Sequence, residues 1–310
     1  MLFSLLRKCW EAGEVPQDMR DANIVTIYKG KGDRGDCNSY RGISLLSIVG
    51  KLFSRVIQSR LQKLANRVYP ESQCGFRPQR STTDMIFTLR QLQEKCREQK
   101  TPLFVAFVDL NKAFDTVSRE GLYSALESIG CPPKLLCLIK SFHDNMNGIV
   151  VFNGGTSEPF KVCRGVRQGC VLAPTLFGIY SSLMLRAAFS DDHQGVHLHT
   201  RTDGRLFNIS LLKSKKHRED LFVDNLLFAD DAALLANSPF ELQSMIDSLK
   251  ASREHHGHPM LSEAHCTFYS ANESQEGTAH KFALIMLQLL TSTKAPSSDV
   301  TPFLIQLELV

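Results

Sequence analysis

The ten residues LFADDAALLA, Leu227 to Ala236, set two adjacent aspartates in an otherwise apolar run. An ionised carboxylate buried without a partner costs so much free energy that it is normally neutralised or excluded. Two arrangements satisfy this constraint. In one, Asp230 and Asp231 form a solvated turn between ordinary elements. In the other, they sit at the tip of a tight hairpin between buried strands, held there by divalent metal ions. Only the hairpin demands a further carboxylate from elsewhere in the chain.

A candidate lies far upstream. PLFVAFVDL is a continuous apolar run rich in Phe and Val, the pattern of a strand buried on both faces, and it ends on Asp109. Helical spacing of apolar residues marks SLLSIVGKLFSRVIQSRLQKLA, from Ser44, and STTDMIFTLRQLQEKCREQ, with Ser81 or Thr82 as N-cap. A helical stretch from about Arg119 to Phe142 is broken at GCPP. A strand pair with a Gly-Gly turn follows in GIVVFNGGTSEPFKV, then a helix behind Pro174 and another near PFELQSMIDSLK. This alternation predicts an α+β fold, a sheet covered by helices on one side.

If the strands carrying Asp109 and the Asp230–Asp231 pair are neighbours, three carboxylates meet at one sheet edge. Such a set can hold two Mg2+ ions about 3.5 to 4 Å apart, the clamp used for in-line phosphoryl transfer. The net charge of +4 over 310 residues permits a nucleic-acid partner without arguing for one. Charge is more telling locally, in the basic cluster Lys213 to Arg218, although such a cluster more often reads as a solvated loop.

Five ordered stretches carry a resemblance. AFVDLNKAFDTVSREGL, GVRQGCVLAPTLFGIY and LFADDAALLA follow the order and spacing of the palm motifs of reverse transcriptases of non-LTR, LINE-like retrotransposons. DANIVTIYKGKGDRGDCNSYRGISLLSIVGKLFSRVIQSRL and ESQCGFRPQRSTTDMIFTLRQLQEK resemble that family's fingers. The resemblance implies an RNA-directed DNA polymerase of fingers-palm architecture with an antiparallel palm sheet. It assigns residues 1–100 to the fingers and fingers-palm helices and 101–254 to the palm. Residues 255–310 are left as a degenerate or poorly ordered tail without a recognisable thumb.

The resemblance also implies roles. Asp109 and Asp230 match the principal metal-binding carboxylates, with the Leu110 carbonyl as a backbone ligand, and Asp231 matches the second aspartate of the pair. Two Mg2+ ions, or Mn2+ in their place, are the implied cofactors; an RNA template, a DNA primer and dNTPs are the implied partners. A primer 3′-hydroxyl would attack the α-phosphate and release pyrophosphate. Lys29 and Arg41 match cations that neutralise the triphosphate. Phe114 matches the bulky position under the incoming sugar, where a ring excludes a ribose 2′-hydroxyl. Gln168 and Gly169 match a loop against the nucleotide, where glycine permits close backbone approach. Arg77 and Arg80 match a segment near the template. A two-metal nuclease would account for the carboxylates but leave Phe114 and RQGC without a role.

Downstream the pattern departs from the family. Where a GLTI turn and a KT pair would stand, the chain reads HHGHPMLSEAHCTFYS, with His265 or a neighbour in place of the lysine. Histidine is largely neutral near pH 7, which weakens proton delivery to the leaving group. With no recognisable thumb or preceding endonuclease, the expectation is a fragment or decayed copy, and a second reading is an inactive remnant that at most binds nucleic acid. The nine cysteines are scattered and never in C-x-x-C spacing, which predicts reduced thiols in an intracellular protein of nucleus or cytoplasm. No run approaches the roughly twenty apolar residues of a membrane span.

Overall fold

Val105 and Phe107 point to one side of their strand and Ala106 to the other, and all three are buried, because helices close on both faces. The computed structural model describes residues 1–30, 32–108, 112–189, 194–201, 218–255 and 267–270. The first elements are α1 (Leu2–Ala12), α2 (Gln17–Arg20), β1 (Ala22–Tyr28), β2 (Tyr40–Leu45), α3 (Ile48–Val68) and α4 (Thr82–Gln99). Next come β3 (Phe104–Val108), α5 (Ala113–Thr116), α6 (Arg119–Ser128), α7 (Pro133–His143), β4 (Asn147–Phe152), β5 (Gly155–Thr156) and β6 (Phe160–Lys161). The chain continues through α8 (Ala173–Ala188), β7 (Val196–Arg201), β8 (Arg218–Val223), β9 (Asn225–Phe228), β10 (Asp231–Ala236), α9 (Pro239–His255) and β11 (Thr267–Ser270).

The sheet that matters for the site runs β11-β3-β10-β9 and is antiparallel throughout. Side chains alternate along each strand, so β10 divides its residues between two layers. Ala233 and Leu235 join Met85, Leu89 and Leu92 of α4, while Leu234 and Ala236 join Met184 of α8 and Leu242, Met245 and Ile246 of α9. The antiparallel sheet expected from sequence is present, but its helical cover lies on both faces rather than one. That is why its strands read as unbroken apolar runs: each side chain has a helix to meet. A fully buried Leu here contributes about 1.5–3 kcal/mol.

A second sheet runs β2-β1-β4-β5, with β6 also paired to β4. Its β1–β4 pairing is parallel, Ala22 to Val25 against Gly148 to Val151, and joins segments far apart in sequence. Between β4 and β5 the turn is Asn153-Gly154, with φ of 48° and 79°. These two positive angles are the signature of a type I′ turn, so the expected Gly-Gly turn sits one residue too far along. Helix α3 also starts later than the sequence periodicity indicates. Residues Tyr40 to Leu45 satisfy their backbone groups in β2 against β1, and the Ser47 hydroxyl then accepts the Gly50 N–H at 3.1 Å as the helix cap. Helix α4 begins as expected: Ser81 and Asp84 form a reciprocal capping box.

Strand β11 lies in the stretch to which sequence alone assigns no core role, yet it pairs with β3 from Thr267↔Phe107 to Ser270↔Phe104. The basic cluster from Lys213 falls outside the described residues up to Arg218, where β8 begins. His256, His258, His265 and Cys266 also lie outside them. Among the described residues no helix is long and apolar enough to cross a membrane.

Candidate active site

The Asp-Asp stretch forms the hairpin its apolar arms predict. Asp231 opens β10 opposite Phe228, and Ala229 and Asp230 make the tip, with Ala229 in the left-handed region at φ 59°. Both aspartates are half-buried and both have interacting neighbours. On its other side β10 pairs with β3, ending at Ala232↔Val108. Asp109 follows Val108 in the chain but, with Leu110, lies outside the described residues. Carboxylates are hard oxygen donors suited to Mg2+ or Mn2+. Among the described residues no group of three His, Cys, Asp or Glu gathers, so a complete donor set requires Asp109.

The tip is braced from outside the sheet. Residues Ser72 to Gly75, between α3 and α4, form a parallel bridge to β9 at Gln73↔Leu227. The Cys74 N–H donates to Leu227 O at 2.9 Å and the Leu227 N–H to Ser72 O at 3.0 Å. The Ser72 hydroxyl donates to Asn225 Oδ1 at 2.7 Å. Gln73 Oε1 accepts the Gly75 N–H at 2.7 Å and the Ala229 N–H at 3.1 Å.

Phe114 stacks on Phe177 with centroids 4.6 Å apart, and Phe76 meets it edge-on at 6.3 Å. Phe76 is half exposed at φ 55°, an outlying conformation for a bulky residue. It belongs to the GFRPQR segment but is not among the sequence candidates; its neighbour Arg77 is singled out there by the family resemblance. Phe114 O accepts the Val166 N–H at 2.8 Å, which ties this ring to the loop carrying Gln168.

Gln168 and Gly169 pack on β2. The Ser44 N–H donates to Gln168 O at 2.8 Å, and Gly169 has φ 98° with no room for a side chain: a Cβ would lie 2.8 Å from Ser44 O. The close approach anticipated at this glycine is therefore made to the protein's own backbone. Arg41 is half-buried in β2 opposite Ile27 and has an interacting neighbour. Lys29 Nζ donates to Asn38 O at 2.8 Å, and Lys112 Nζ, absent from the sequence candidates, donates to Asn38 Oδ1 at 3.2 Å. Two lysines thus converge on the glycine-rich loop. Arg77 and Arg80 both pair with Glu71, and Arg77 also donates to Pro70 O at 3.1 Å, so each already holds the segment together.

Beneath Gln168 lies a group that sequence reading passes over. Arg167 is 4% exposed and donates from its two terminal nitrogens to Arg20 O and Phe142 O. Arg119 donates to Gly165 O at 3.1 Å and to His143 O. Burial pulls both guanidinium groups below their ordinary pKa. Burial, with Arg167 beside it, brings the fully buried His143 down to about 3, so its ring is neutral. An arginine in the apolar run GVRQGCVLAP is the only local signal of this cluster.

A family model, Reverse transcriptase (RNA-dependent DNA polymerase), matches residues 27–277. The chain is 33% identical over 176 residues to the RNA-directed DNA polymerase from mobile element jockey of Drosophila melanogaster, covering 56% of this chain and 19% of that protein. It is 30% identical over 177 residues to the transposon TX1 uncharacterized 149 kDa protein of Xenopus laevis, covering 56% and 13%. Against these relatives the chain spans about a fifth of their length or less. Among solved structures it is similar to an apo telomerase from Candida tropicalis truncated from its C-terminal domain, with TM-score 0.56, 15% identity and coverage of 88% of this chain and 55% of that one. It is also similar to a Candida albicans telomerase in complex with a TWJ fragment of telomeric RNA, with TM-score 0.54, 14% identity and coverage of 88% and 46%. At these identities the structural likeness is one of fold.

Proposed function

The chain belongs to the reverse transcriptase (RNA-dependent DNA polymerase) family, and from that premise we propose that it copies an RNA template into DNA by adding dNTPs to a primer 3′-hydroxyl. The observation that carries this reading is the hairpin: Asp230 and Asp231 sit beside the strand whose next residue is Asp109. Asp109, Asp230 and Asp231, with the Leu110 carbonyl, would hold two Mg2+ ions, with Mn2+ as a substitute. Such ions would supply charge neutralisation at the triphosphate and a lowered pKa for the attacking hydroxyl.

The protein's own groups do the positioning. Lys29 and Lys112, drawn together at Asn38, would meet the triphosphate with Arg41. The Phe114 ring, fixed between Phe177 and Phe76, would lie under the sugar and disfavour ribonucleotides. Gln168 and Gly169 would form the wall beside the base. Arg77 and Arg80 would reach the template by exchanging Glu71 for phosphate. In domain terms, residues 1–100 are read as fingers and 101–254 as palm, with β4 to β6 joining the former through the β1 pairing. The eight described cysteines are free thiols, which supports an intracellular setting, nucleus or cytoplasm.

Primer extension on an RNA template with Mg2+ and dNTPs, comparing the protein with Asp230→Ala, tests the proposal. Extension by the first and none by the second is expected. No extension by either refutes the polymerase, and equal extension by both refutes the site.

A further inference from the structure

Ala229 directly precedes Asp230 and holds a backbone conformation that an alanine rarely adopts. Something must keep it there. Its N–H is taken by Gln73 Oε1, which also accepts the Gly75 N–H, so one oxygen joins the fingers segment to the hairpin tip. Gly75 completes the seat: a Cβ at that position would lie 2.0 Å from Ala229 N. Gln73 is 1% exposed, yet its Nε2 has no hydrogen-bond partner among the described residues. A buried donor left unmade costs stability. The geometry is therefore arranged around where the oxygen points, at the expense of the nitrogen.

We infer that Gln73 is a positioning residue for the carboxylates: by pinning the Ala229 amide it sets the direction in which Asp230 leaves the hairpin. Catalytic groups must be held to within a fraction of an ångström of their productive placement. A two-residue tip with a strained alanine does not achieve that unaided. The inference rests on reading this hairpin as the polymerase site, and it adds a residue to that site which touches neither nucleotide nor metal.

The test uses Gln73→Met, which keeps the length of the side chain and removes the acceptor, and Gln73→Asn, which keeps the amide but is too short to reach Ala229. In folded variants, the Ala229 amide should lose hydrogen-exchange protection and kcat should fall at least tenfold, with the dNTP KM within threefold of wild type. The Mn2+ concentration for half-saturation, read by electron paramagnetic resonance, should rise at least fivefold. Adding Ala229→Gly to Gln73→Met should recover at least threefold in kcat, because glycine adopts the left-handed conformation without a restraint. Unchanged kcat and Mn2+ affinity in both variants would overturn the inference, as would losses that Ala229→Gly does not restore. If the wild-type protein incorporates no nucleotide, the polymerase reading fails, and Mn2+ affinity with Ala229 exchange decides the role of Gln73 separately.

Discussion

Replacing Arg167 by methionine removes a buried staple while keeping most of the aliphatic volume. The guanidinium donates to Arg20 O, at the end of α2, and to Phe142 O, in the last turn of α7, and lies 6.0 Å from the Phe142 ring centroid. Each buried carbonyl that loses its donor costs about 1–3 kcal/mol. Against this, methionine relieves the desolvation of a charge whose hydrogen bonds go to carbonyls and not to a carboxylate, and it removes an Nε that has no partner among the described residues. The net expectation is a loss of about 3 kcal/mol, a large share of the roughly 5–15 kcal/mol that holds a domain folded. Urea unfolding followed by circular dichroism should show a lower midpoint at unchanged m-value. Arg167→Lys should recover less than half of the loss, since a single ammonium on a flexible stem cannot reproduce the forked pair of bonds. An unchanged midpoint in Arg167→Met would refute the staple, and full rescue by lysine would refute the bidentate argument.

His143 binds its proton more weakly folded, at about 3, than the ordinary 6.5 of an unfolded chain. The unfolded state therefore carries more protons between those values, and the stability due to the neutral ring is complete above about pH 6.5 and lost by up to about 1.4 kcal/mol per pH unit as pH falls. Urea midpoints from pH 7 to pH 5 should drop less steeply in His143→Leu than in wild type. Gly169→Ala forces a side chain to φ 98° against Ser44 O, at a cost of about 1–3 kcal/mol, and steady-state kinetics should show a dNTP KM raised roughly tenfold by about 1.4 kcal/mol of displaced loop. Phe114→Val opens the space between Phe177 and Phe76, and single-nucleotide incorporation should show the preference for dNTP over rNTP falling at least tenfold.

The local structure around the candidate site is legible in the sequence where it depends on neighbouring residues. The capping box of Ser81 and Asp84 lies within one helical turn, and the carboxylates at the ends of apolar runs announce themselves by contrast with their neighbours. Lys112 and Phe76 were missed for the opposite reason: a lysine near a motif and a phenylalanine in a loop look ordinary until Asn38 and Phe114 are found beside them.

Periodicity and contrast, which act over a few residues of chain, mark β3, α4 and the apolar arms around Asp230 and Asp231, but they miss β2, whose end is read as the start of a helix, and β11. Tertiary structure alone decided that β1 lies parallel to β4, that β11 borders β3, that helices close on both faces of the sheet, and that Gln73 and Arg167 are buried. The physical reason is that these depend on surfaces brought together from distant parts of the chain. A glutamine or arginine carries the same local signal whether it ends in water or against a carbonyl or amide, and only the partner that folding delivers tells the two apart.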